Sequence, residues 1–130
     1  MVKHEDAGFT MTGKIKRLER QAADEVASVL AELPAPLAGP ARKLPVLFAR
    51  APDSAAGQED DLLGLFIGAE LAHEGDEPLP PQIILFLENL WDEAEENEAT
   101  FRNEVRITYL HELGHYLGLD EDDLFERGLE

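Results

Sequence analysis

The segment Tyr109-Leu-His-Glu-Leu-Gly-His-Tyr-Leu-Gly-Leu-Asp-Glu-Asp-Asp123 contains the pattern His111-Glu112-Leu113-Gly114-His115. In a helix, four residues advance the chain by about 400° and about 6 Å. Two imidazoles at that spacing leave one face, a turn apart, and can close on a single tetrahedral divalent ion. Glu112 follows the first histidine by one residue. It projects beside the pair, where it can touch a water molecule without ligating the ion. On a wheel at about 100° per residue, Phe101, Glu104, Thr108, His111, Glu112 and His115 share one arc. Val105, Tyr109, Leu110, Leu113, Tyr116 and Leu117 cover much of the rest, and Gly114 and Gly118 form a narrow strip suited to close packing. The pattern predicts a helix buried near its C-terminal end, with a shielded polar notch at the histidines.

Catalytic zinc sites combine three protein ligands with one open position. Gly118 suits the left-handed conformation that ends a helix and turns the chain back. The third residue beyond it, Glu121, is therefore the expected third ligand, with Asp120, Asp122, a remote residue or water as alternatives. A plainer reading has the acids at 120–123 capping a last helix, where carboxylates suit the N-terminus. Tyr109 and Tyr116 turn away from the histidine arc. His4 and His73 read as exposed residues rather than ligands. Arg102 and Arg106, one turn apart, are expected to pair with carboxylates, and Trp91 to anchor the core.

Working upstream, Asn97 or Thr100 is the expected N-cap of this long helix, after the acidic joint Glu95-Glu-Asn-Glu98. Glu88 to about Ala94 reads as a short helix. Gln82 to Leu87, apolar after its first residue, predicts a central strand buried on both faces. Leu62 to Gly68 predicts a second strand, whose Gly64 and Gly68 mark an edge, a bulge or a closely approached backbone. Leu44 to Ala49 predicts another. Residues 34–42 read as a proline-rich connection. From Lys14 to Leu33, apolar residues recur at helical steps until Pro34 stops them. Residues 1–13 read as a flexible N-terminal arm, 14–130 as a single domain, and Asp122 to Arg127 as a short closing helix.

The chain of 130 residues has room for one modest core. With 11 basic against 28 acidic residues, its formal net charge is -17. Such a surface repels phosphate backbones and anionic membranes, so neither nucleic acid nor membrane is an expected partner. It reads first as a solvated acidic surface, and such a surface could also attract basic peptides or a divalent cation. The absence of cysteine excludes thiol catalysis and thiolate metal sites. A polar N-terminus and the lack of a long apolar run lead us to expect a cytoplasmic protein.

At these residues the chain resembles the minimal zincins, small bacterial zincin-like metallopeptidases with an HExxHxxGxx[D or similar] motif. Asp61-Leu-Leu-Gly-Leu-Phe-Ile-Gly68 is similar to that family's strand ahead of the helix, and Glu104-Val-Arg-Ile-Thr-Tyr-Leu-His111 to its run into the motif. The resemblance covers about residues 14–128. Position 121 holds Glu where the family usually has Asp, and no methionine follows the motif, since Met1 and Met11 are the only two. The resemblance implies an α+β, reduced zincin-like fold: an N-terminal helix, a small mixed β-sheet, the active-site helix beneath it and a short C-terminal helix. It implies Zn2+ on His111, His115 and Glu121, and hydrolysis of a peptide or protein substrate with Glu112 as general base. Extended peptide would lie along the Leu62–Gly68 edge. The rival expectations are a zinc-binding peptide or protein interaction module without turnover, and a metal-free acidic interaction domain.

Overall fold

The computed structural model describes residues 2–73, 80–120 and 122–123. Helix α1 spans Val2–Glu32 and α2 spans Ala35–Lys43. Strands β1 (Val46–Ala49), β2 (Gly64–Ile67) and β3 (Gln82–Phe86) follow, then α3 (Leu87–Glu93) and α4 (Glu98–Leu117). This is an α+β fold with one three-stranded sheet of order β1-β3-β2.

α1 buries Leu18, Ala22, Val26 and Val29 along one stripe, which Leu33 continues just past its end, as the three- and four-residue spacing requires. Its backbone begins at Val2, so the stretch read as an arm continues the helix. Gly8 and Gly13 each cost a helix about 1 kcal/mol and do not forbid it. The proline-rich connection is corrected more sharply, because most of it is α2. Pro34 occupies the N-cap position and Pro36 falls in the first turn, where a missing N–H breaks no helical bond. Pro40 lies inside and leaves α2 short.

β3 is the central strand, parallel to β1 and antiparallel to β2. Its burial corrects the expectation of two covered faces. Ile83 and Leu85 are fully buried, on the face that α4 covers. Ile84 points the other way, is only partly buried, and lies in register with Leu65 and with Leu47, which is 48% exposed. An apolar run therefore marked the strand's central place in the sheet, but the helices lie mainly against one face.

Trp91 is buried and meets Phe101 edge-on, with ring centroids 5.8 Å apart, joining α3 to α4. Arg106 donates to both oxygens of Glu32, at 3.2 and 2.6 Å, and holds that carboxyl below its ordinary range. Arg102 lies 3.9 Å from Asp24 and 3.6 Å from Glu25, so both arginines clasp α1 to α4 as expected. Among the described residues no helix is long and apolar enough to cross a membrane.

Tyr109, in α4, is fully buried, and its hydroxyl has no hydrogen-bond partner among the described residues. Burial pushes the phenol up to about 12. An orphaned polar group in a core is destabilising, so Tyr109→Phe should raise stability by about 1 kcal/mol in urea unfolding near neutral pH. The alkaline behaviour follows from linkage. The folded value lies above the unfolded value of about 10, so stability is intact below pH 10 and is lost as pH rises toward 12. A shift of about two units corresponds to roughly 2–3 kcal/mol. Tyr109→Phe should remove that part of the alkaline loss. An unchanged pH profile would contradict the assignment.

Candidate active site

α4 is held at both ends by its own residues. The Asn97 side chain accepts from the Thr100 N–H at 2.9 Å, so Asn97 is the N-cap. At the other end Gly118 adopts φ 74°, and the Leu119 N–H returns to the Gly114 carbonyl at 2.8 Å. This is the left-handed reversal expected after the second histidine.

The helix brings His111 and His115 together with ring centroids 4.7 Å apart and planes at 62°. Glu112 lies beside them, 8% exposed, with its Oε1 3.5 Å from His115 Nδ1. The expectation of a uniformly shielded notch needs correction. Glu112 and Thr108 are buried and His111 is partly so, but the His115 side chain is 53% exposed. His115 occupies the last turn of α4, one turn nearer the helix end than His111.

A cavity of about 420 Å³ opens at His111 and Glu112. It is also lined by Glu59 and by Asp61 to Gly64, the residues that lead into β2. Gly64 makes the approach possible. A Cβ there would stand 2.6 Å from Thr108 Cγ2, 3.3 Å from Leu85 Cδ2 and 3.4 Å from Glu112 Cγ. Glycine at 64 therefore sets how closely β2 and α4 pack, and so where the Glu112 stem rests. The stretch leading into β2 is pinned by Asn89, whose Nδ2 donates to the Asp60 and Leu62 carbonyls, both at 2.8 Å. Sequence reasoning flagged Gly64 for close approach without naming its partner. It missed Asn89, which no motif marks.

Tyr109 is in the core, and Tyr116 is buried with its ring 5.8 Å from that of Phe66. Neither lines the cavity, in keeping with the wheel. Glu121 lies outside the described residues, as do the side chains of His4 and His73 and most of the expected closing helix. Asp120 and Asp123 are described. Asp120 Oδ1 accepts from the Asp123 N–H at 2.8 Å, and Asp123 Oδ2 accepts from the Asp120 N–H at 3.1 Å. This reciprocal cap is the alternative role weighed for the acids after Gly118, and it commits one oxygen of Asp120.

Among the described residues no third histidine or carboxylate gathers with the pair to complete a metal site. The donors that are present suit zinc. Two imidazoles one turn apart, with no thiolate near, form the nitrogen part of a zinc site that a carboxylate can complete. No curated protein matches the chain. A family model of zincin-like metallopeptidases matches residues 41–129. The matched span takes in all three strands, α3 and the whole of α4, leaving α1 outside. The match covers more than half of the chain, including the residues that shape the groove around Glu112, and the chain belongs to the zincin-like metallopeptidases.

Proposed function

We propose that the chain hydrolyses peptide bonds with Glu112 as general base, and that His111 and His115 hold the zinc ion. The placement of Glu112 carries this reading: a buried carboxylate lines an open groove side by side with the paired imidazoles. A carboxylate is costly to bury, and here it is kept where a substrate carbonyl can reach it. Bound zinc would polarise that carbonyl and bring the acidity of water near neutral pH. Glu112 takes the proton of the attacking water on its carboxylate and returns it to the departing amine. Among the described residues β2 is an edge strand, paired only with β3. Its free edge can hold an extended peptide by backbone hydrogen bonds, which orients the bond to be cut. Glu121 remains our candidate for the third ligand, ahead of Asp120, which is engaged in its cap, and of Asp122.

Digestion of a peptide library by the zinc-loaded protein tests the reading. Cleavage should stop on chelation and return when zinc is restored. Tight zinc binding without cleavage would replace the peptidase by a peptide-binding module. Absence of zinc from protein purified without a histidine tag would leave an acidic interaction domain.

A further inference from the structure

We propose that the groove beside Glu112 selects peptides carrying a lysine or arginine next to the bond under attack, with Glu59 and Asp61 making the selection. The inference rests on the hydrolytic reading of the same site and names its substrate class.

The groove combines an apolar surface with a set of acceptors. On the α4 side Ile107 is 42% exposed and lines the cavity. Glu59 and Asp61, both exposed, line the same cavity. A lysine or arginine side chain matches this layout, because its aliphatic stem packs on apolar surface while its charged head stays at the polar rim.

Thr108 supplies an independent observation. It is 7% exposed, lines the cavity, and makes no hydrogen bond to another described residue. Its methyl group lies against Gly64, and its hydroxyl is not among the fully buried atoms that lack a partner, so it keeps access to the groove, where a substrate can exchange a hydrogen bond with it. Several acids elsewhere are already paired. Glu25, Glu32, Glu88 and Glu98 each lie within ion-pair distance of an arginine. Among the described residues no lysine or arginine pairs with Glu59 or Asp61. The negative field continues beyond them, since a second cavity of about 340 Å³ shares Asp61 and adds Asp60, Asp92 and Glu93. A basic side chain would meet unneutralised acceptors there, and an acidic one would be repelled.

The test measures binding and cleavage separately. Three peptides differing only in lysine, norleucine or glutamate at one position are titrated against zinc-loaded Glu112→Gln protein by fluorescence anisotropy. The same peptides are offered to the native chain for cleavage. Lysine should be favoured about five- to tenfold, as two partly exposed ion pairs supply. The preference should vanish in Glu59→Lys/Asp61→Lys. The gentler Glu59→Gln/Asp61→Asn pair should weaken it, and serves where charge reversal disturbs folding. Glu19→Lys/Glu96→Lys changes net charge equally at sites away from the groove and should leave the preference intact. Equal affinity for the three peptides, no binding of any, or an equal loss in the remote variant would overturn the inference. A charge preference in binding without cleavage by the native chain would leave it standing and remove the hydrolytic reading. Cleavage without charge preference would do the reverse.

Discussion

Glu112→Gln is expected to lower peptide hydrolysis by about 10²- to 10⁴-fold, the usual contribution of a positioned general base, while zinc content per chain stays unchanged. Glutamine has nearly the shape of glutamate, so it should fill the same buried position between α4 and β2. It cannot accept the proton of the attacking water. Its amide also loses the charge that faces His115 Nδ1 across 3.5 Å. Because Glu112 is buried, circular dichroism and thermal melting must accompany the rate measurement. Native-like folding and zinc content with lost turnover would place Glu112 in the proton transfer. Hydrolysis at the native rate would remove it from the mechanism. Zinc lost together with activity would show that Glu112 shapes the metal site rather than the chemistry.

Gly64→Ala should damage both stability and hydrolysis, through one contact. The added methyl would lie 2.6 Å from Thr108 Cγ2, closer than two carbon atoms tolerate. Thr108 is branched at Cβ and sits on a buried helix face, so it has little freedom to rotate away. Overpacking of this kind costs about 1–3 kcal/mol, which should appear as a lower urea midpoint. The same push reaches Glu112 Cγ, 3.4 Å from the added atom. Displacing a catalytic group by about 1 Å can cost on the order of 10²-fold in rate. Thr108→Ser in the Gly64→Ala background removes the colliding methyl and keeps the hydroxyl. That double variant should recover most of the lost stability and rate. Failure of the serine to rescue either would mean that the Gly64–Thr108 contact does not position Glu112.

The elements around the groove differ in how plainly they could be read from the chain. α4 was legible in detail. Asn97 caps it, Gly118 ends it in the left-handed conformation, and the histidines share a face, all of which follow from short-range backbone geometry. β3 was legible as the central strand from its apolar run. Its uneven burial was not, because β-periodicity does not say whether the second face will find a covering layer. α2 was hidden by its prolines, which mark a break in most contexts but are harmless in a first turn. The start of α1 was hidden by two glycines, whose cost a long helix can absorb.

At the site, sequence alone determined which side chains would meet, because His111, Glu112 and His115 lie within about one turn of the same helix and no distant contact is needed to bring them together. Only the tertiary structure decided what they would face. The wall of Asp61 to Gly64, the docking of Thr108 against a missing side chain, the pinning of the loop by Asn89 and the exposure of His115 all depend on contacts between residues far apart in the chain. Such contacts follow from how the layers pack, and packing depends on volumes filled across elements that no local pattern records.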